Sequence, residues 1–277
     1  MHDDEPPLDA TTPHTLETTD DAFLGGRLAL LQPRRGYRAG IDAVLLAATV
    51  RPAREGERLG VLDLGAGVGT AGLAVAWRLA ETDVTMIERE AVLAELARAN
   101  AQRNALADRV SVVEADVTDQ SGYPASLAEA RFDRLIANPP FHTTGRGTAA
   151  PVGLKARAHE MAEGGLDAWA RALARLAAPG AYVAVILPAE RVGELIGVLE
   201  RRFGGLLVWP LHARAHAPAL RVIIEARQGS RGPLQILPGA VLHGPGDGFT
   251  NWARAVLADG RGIDLAAMAS GRDGLPG

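Results

Sequence analysis

Short apolar runs alternate with longer amphipathic stretches through most of this 277-residue chain. Runs rich in Val, Ile and Leu at 60–64, 83–88, 109–115, 132–137 and 181–187 predict strands. The stretches near 69–81, 90–104, 124–130, 165–178 and 190–202 repeat their apolar positions three and four residues apart, which predicts helices. Strands and helices alternating at this spacing predict βαβ units and a parallel sheet covered on both faces. Two later apolar runs, 206–211 and 220–226, are joined by residues 212–219 with no helix between them, so they predict an antiparallel pair at the C-terminal edge. The expected fold class is therefore α/β, a mostly parallel seven-stranded sheet with helices on both faces.

Flanking segments complete the outline. Residues 1–22, rich in Asp, Thr and Pro, read as a disordered acidic tail. Residues 23–50 read as an N-terminal cover, with a hairpin turning at Gly25-Gly26 and an apolar helix from Ile41 that carries Asp42 in its first turn. The main domain covers 51–230. An extension at 231–277 carries a strand within 233–242, a short helix at 251–257 and a loose glycine-rich end.

Composition narrows the chemistry. Hydrophobic residues make up 47% and charged residues 22%, as in ordinary soluble proteins. The absence of cysteine excludes disulfides and thiolate metal sites. The N-terminus is acidic instead of basic and apolar, and no apolar run reaches the length of a membrane span, so a cytoplasmic location is expected. The net charge of −4 is unevenly distributed. Residues 1–22 hold seven of the 33 acids and no Lys or Arg, which leaves 26 acids against 29 basic residues in the body. Residues 143–231 carry 12 basic residues against 7 acids. That excess is compatible with an RNA partner, though a solvated face has the same signature.

Three strand ends carry candidate chemistry. Asp63-Leu64-Gly65-Ala66-Gly67-Val68-Gly69-Thr70 follows the first strand of the main domain and opens a helix. Its glycines permit a sharp turn and close backbone approach to a ligand. Thr70 stands where the dinucleotide fingerprint G-x-G-x-x-G requires glycine, which disfavours a nicotinamide oxidoreductase. Glu88 closes the next strand, where an acid can accept both hydroxyls of a ribose or serve a helix cap. Asp116 follows the third strand and could bond an adenine amino group or be an ordinary loop acid. Open α/β sheets bind ligands at these carboxyl ends.

The fourth strand ends in Asn138-Pro139-Pro140-Phe141. Proline fixes φ and removes an N–H, so this loop is stiff and offers carbonyl acceptors without competing donors. An amide oxygen, a backbone carbonyl and a flat ring suit a planar amino-bearing group such as adenine, guanine or a carboxamide. Pro-Pro alone would mark only a turn. His142 and His159 show no metal-ligand spacing, and Trp77 and Trp169, in predicted helices, fit a core better than a stacking platform.

With the G-x-G-x-G turn, the acidic strand end and Asn138–Phe141 in this order, the chain resembles class I S-adenosylmethionine-dependent methyltransferases that act on amino groups. The stretch from Gln32 to Leu46 and the segment Lys155-Ala156-Arg157-Ala158-His159-Glu160 resemble the bacterial tRNA(Val) adenine-N6 methyltransferase family, over roughly residues 23–230. The resemblance implies a Rossmann-like methyltransferase fold, S-adenosyl-L-methionine as cofactor and a tRNA substrate. It implies cofactor contacts from Arg38, Gly40 and Asp42 near the methionyl end, although Asp42 could equally cap its helix. It further implies contacts from Asp63, Gly65, Ala66, Gly67 and Gly69 in the turn, from Glu88 and Arg89, from Asp116 and Val117, and from Asn138. Asn138, Pro139, Pro140 and Phe141 would be catalytic. Phe141 departs from the Tyr found in many members, so it can stack but has no hydroxyl. Arg34, Arg35, Arg146, Lys155 and Arg157 flank the motifs and could hold phosphates or equally form a plain solvated surface. The Asn-Pro-Pro-Phe-His stretch is shared with rRNA guanine-N2 methyltransferases, and a protein glutamine side chain offers the same planar NH2. A non-catalytic RNA- or protein-binding module on this fold is the reading from outside enzymology.

Overall fold

The computed structural model describes residues 17–36, 38–140 and 165–275. A hairpin comes first, β1 (Thr18–Phe23) and β2 (Leu28–Pro33), followed by α1 (Ile41–Ala48). The main alternation runs β3 (Leu59–Leu64), α2 (Thr70–Arg78), β4 (Thr82–Glu88), α3 (Ala91–Arg103), β5 (Val110–Glu114), α4 (Ala125–Ala128) and β6 (Phe132–Ala137). Then come α5 (Gly165–Leu176), β7 (Ala177–Pro188), α6 (Val192–Leu199), β8 (Phe203–His212) and β9 (Ala219–Gln228). The C-terminal extension adds β10 (Gln235–Ile236), β11 (Ala240–Val241), α7 (Asn251–Leu257) and α8 (Leu265–Ala269).

The long strands lie in the order β5-β4-β3-β6-β7-β9-β8. All are parallel up to β7, and β9 runs antiparallel to both its neighbours. Seven long strands thus form the expected sheet, and β10 and β11 extend it by pairing parallel with β8. Alternation along the strands sends side chains to both faces. Val61 and Ile136 pack with α1, α2 and α3, while Leu62, Leu64, Leu135 and Ala137 pack with α4, α5 and α6.

The structure corrects the expected boundaries in three places. Residues 18–22, expected within a disordered tail, are instead strand, because Thr18–Phe23 pairs fully with β2. The acids of β1 are held by partners: Asp21 accepts from Thr19, Gln32 and Arg38, and Asp20 pairs with Arg103. Composition signalled disorder here, but the arginines that offset the charge lie far along the chain. Residues 1–16 lie outside the described residues. The strand expected within 233–242 is two short segments separated by Leu237-Pro238-Gly239, since Pro238 has no N–H to continue a ladder.

The loose C-terminal end is instead docked through residue 275. Asp264 caps α8 by accepting from Ala267 N–H (3.0 Å), and Ile263 N–H donates to Ala48 O (2.8 Å). Arg51 bridges Asp264 (3.2 Å) to the buried Glu225 of β9 (3.0 Å). Leu265 and Ile263 enter the same apolar cluster as α1, so burial outweighs the local glycine content.

Candidate active site

Register brings the candidate residues together. Leu64 of β3 pairs with Ala137 of β6 on one side and with Ile87 of β4 on the other, and Glu88 pairs with Glu114 of β5. Gly65, Glu88 and Asn138 therefore leave three successive strands at one level, with neighbours separated by about 4.8 Å, the spacing of paired strands, and Asp116 follows two residues beyond Glu114 on the fourth. Pro139 is buried and Pro140 exposed beyond Asn138. Phe141, His142, Arg146, Lys155, Arg157 and His159 lie outside the described residues.

The turn after β3 is left-handed at Gly65 (φ 68°), Gly67 (φ 58°) and Gly69 (φ 89°). At Gly65 no side chain fits, since a Cβ would lie 2.4 Å from the Trp169 ring. Trp169, 6% exposed on α5, is thus a core residue that also walls the turn. Ala66 N–H donates to Ile87 O (2.9 Å), fastening the turn to β4. Glu88 is buried and bridges outward: Oε2 accepts from Gly67 N–H (2.8 Å) and Oε1 from Glu90 N–H (2.8 Å). The N-cap of α3 is Glu90, so Glu88 does not cap that helix and instead braces the glycine turn.

Asp63 lies beneath the turn at 2% exposure, where Oδ2 accepts from Gly72 N–H (2.8 Å) of α2. Burial raises its pKa to about 7; the Gly72 bond opposes the shift and the Glu88 charge adds to it. The unfolded value is near 4, so the folded state binds this proton more tightly between about pH 4 and 7. Stability is therefore present below that window and falls as pH rises through it, with a slope of up to about 1.4 kcal/mol per pH unit. Asp63→Asn retains an acceptor for Gly72 and removes the titration. Denaturant unfolding at pH 5 and pH 8 should show the variant gaining on the wild type by a few kcal/mol as pH rises. Parallel pH profiles in the two proteins would disprove the assignment.

Asp116 sits two residues past β5. Burial works against its charge, yet the Thr118 hydroxyl and amide (both 2.7 Å) and Arg89 (3.4 Å) hold its pKa below the usual carboxylate value. Val117 is buried, and its carbonyl accepts the Tyr123 hydroxyl (2.9 Å). Asp42 does not cap α1, whose N-cap is Gly40; it accepts from Arg221 Nε of β9 (2.7 Å). Arg38 bonds Asp21 and Thr19 of the hairpin (both 2.7 Å). Arg34 and Arg35 are exposed.

One residue escaped the sequence reading. Asn100 of α3, fully buried, donates to Val68 O within the glycine turn (3.0 Å) and pairs with the backbone of Leu31 in β2. A signal existed, because Ala97, Asn100, Ala101 and Asn104 form one stripe at helical spacing, and two amides there interrupt an otherwise apolar face.

Comparison with known proteins bears on this arrangement. The methyltransferase small domain model matches residues 40–166. The chain is 31% identical over 200 residues to a tRNA1(Val) (adenine(37)-N6)-methyltransferase of Aeromonas hydrophila subsp. hydrophila, covering 71% of this chain and 79% of that one. The chain belongs to this methyltransferase family. A family member from Dickeya chrysanthemi is 27% identical over 231 residues, covering 81% of this chain and 86% of its own. The crystal structure of a predicted O-methyltransferase, protein Atu636 from Agrobacterium tumefaciens, superposes with a TM-score of 0.63 at 30% identity, over 80% of this chain and 97% of that one.

The fold is thus the Rossmann-like fold of S-adenosylmethionine-dependent methyltransferases, and the chain is an enzyme of that class. The strand ends fit such a cofactor. Their side chains are acidic (Asp63, Glu88, Asp116), and Arg89 is held by Glu90 and Asp116. That set suits a cationic nucleoside bearing hydroxyl and amino donors better than a pyrophosphate. The Thr70 hydroxyl, buried at the start of α2, finds no partner among the described residues. Among those residues no helix is long and apolar enough to cross a membrane.

Proposed function

We propose that this methyltransferase modifies the exocyclic N6 of an adenine in tRNA. The observation that carries the reading is the register of β3 with β6, which sets Asn138 beside the glycine turn at adjacent strand ends. S-adenosylmethionine supplies an electrophilic methyl on a sulfonium. The turn from Gly65 through Ala66 and Gly67 to Gly69 would receive it, with Asp63 bracing the turn from beneath. Glu88 would hold the ribose, Arg89 and Val117 would frame the adenine beside Asp116, and Arg38, Gly40 and Asp42 would border the methionyl end.

An exocyclic amine is a weak nucleophile because its lone pair is delocalised into the ring. The Asn138 side-chain oxygen and the Pro139 carbonyl would accept its two N–H bonds, localising that pair toward the methyl and aligning the nitrogen for in-line displacement. Phe141 would stack on the target base, a contact worth about 1–3 kcal/mol. Extruding the base from its stack costs a few kcal/mol, which such contacts offset. The product ammonium is acidic enough to lose its proton to water, so no strong general base is needed. Arg34, Arg35, Arg146, Lys155 and Arg157 would contact phosphates and position the RNA. A tRNA substrate also implies action in the cytoplasm.

The test is methyl transfer from labelled S-adenosylmethionine to total unmodified RNA, followed by nucleoside identification. N6-methyladenosine in the tRNA fraction is the expected product. Label in N2-methylguanosine, or in protein alone, would overturn the substrate assignment.

A further inference from the structure

The buried carboxamide of Asn100 ties the N-terminal hairpin to the glycine turn. Its Oδ1 accepts from Leu31 N–H (2.8 Å), while Nδ2 donates to Leu31 O (3.1 Å) and to Val68 O (3.0 Å). All three bonds run from one side chain with no exposed surface, so losing any of them leaves a desolvated group unpaired. One turn further on, at the C-cap of α3, Asn104 repeats the strand pairing: Oδ1 accepts from Ala29 N–H (3.0 Å) and Nδ2 donates to Ala29 O (3.0 Å). Two amides four residues apart thus act as a paired edge for β2, whose alternate residues match the helical repeat. Asn104 gives its remaining Nδ2 bond to its own helix, at Asn100 O (2.8 Å), and not to the turn. Of the two amides, Asn100 alone reaches both elements.

The hairpin in turn holds the segment leading into α1. Gln32, also buried, accepts from Ala39 N–H (2.7 Å) and donates to Asp21 (2.9 Å), and Arg38 closes the group on Asp21. Polar contacts joined by the Leu31–Gln32 peptide bond therefore link Val68 through Asn100 and β2 to Ala39, at the entrance to α1.

We infer that Asn100 is a positioning residue for the cofactor. It fixes the Val68 peptide, and with it the path of the turn, against a hairpin that would otherwise be a passive cover. The inference rests on the turn being the cofactor's seat. Asn100→Leu, of the same branched shape, removes all three bonds. Asn104→Leu removes the same kind of hairpin pairing and leaves the turn untouched, so it measures the merely structural cost.

Both variants should lower the melting temperature. Only Asn100→Leu should weaken S-adenosylmethionine binding tenfold or more by calorimetry, raising the KM for cofactor while kcat at saturating cofactor stays within about twofold. In the cofactor-free proteins, amide hydrogen exchange over residues 65–70 should quicken in Asn100→Leu and not in Asn104→Leu. Equal affinity losses in the two variants, or none in Asn100→Leu, overturn the inference. Should Asn100→Leu fail to fold, the wild-type protein carries the test. Cofactor should then slow exchange at both the turn and β2, and protection confined to the turn counts against the coupling. Glu88→Ala separates the underlying reading. Unchanged affinity there removes the turn as the cofactor's seat and the inference with it. A loss in Glu88→Ala with none in Asn100→Leu overturns the inference alone.

Discussion

Asn138→Ala is expected to lower the single-turnover methylation rate a hundredfold or more while leaving S-adenosylmethionine affinity and the melting temperature near wild type. The residue follows the last paired position of β6, so the sheet fixes its backbone whatever its side chain. Removing the carboxamide deletes one of two acceptors that would orient the target amine. Loss of one preorganised polar contact at a reacting centre costs about 10²–10³ in rate, or about 3–4 kcal/mol. Cofactor affinity should survive, because the turn and Glu88 are braced by bonds that do not involve Asn138. A single-turnover rate unchanged from wild type would remove Asn138 from the chemistry.

The second large effect is on the fold. Gly65→Ala places a methyl group in a left-handed conformation and against the Trp169 ring, 2.4 Å away. Left-handed backbone costs an L-residue about 1–2 kcal/mol, and forcing an extra carbon into a packed core costs about 1–3 kcal/mol. Together these approach the net stability of a marginal domain. The two contributions can be separated by a double-mutant cycle with Trp169→Leu. Denaturant titration should show Gly65→Ala costing less in the Leu background, with the backbone cost remaining. An identical cost in both backgrounds would mean that Trp169 does not wall the turn.

Much of the architecture was legible because its signals are local. The alternation of apolar runs with helical periodicity located β3 to β9, and the missing helix between the last two predicted their antiparallel pairing. The G-x-G-x-G turn and Asn138-Pro139-Pro140 stood out because each combines residues that ordinary turns do not need together. The failures were equally physical. Thr18–Phe23 was hidden because local acid content resembles a disordered tail, whereas Gln32, Arg38 and Arg103 supply its partners. The glycine-rich end concealed α8, which holds its place through Asp264, Arg51 and the α1 cluster.

The acids show the same division. Sequence marked Asp42, Asp63, Glu88 and Asp116 alike. Tertiary contacts distinguish them: Asp42 meets Arg221 of β9, Asp63 is sealed beneath the turn, Glu88 braces Gly67, and Asp116 is held by Arg89 and Thr118. Periodicity and motif order by themselves determined the α/β class and singled out the strand ends and the amino-group chemistry that the proposed function uses. These follow from backbone geometry and side-chain type, which are properties of neighbouring residues. Which acids are buried, which glycine admits no side chain and which asparagine links hairpin to turn were decided only in three dimensions. Burial and hydrogen-bond partnership depend on residues tens of positions apart: the helical stripe marks Asn100 as facing inward, but not that Leu31 and Val68 are its partners.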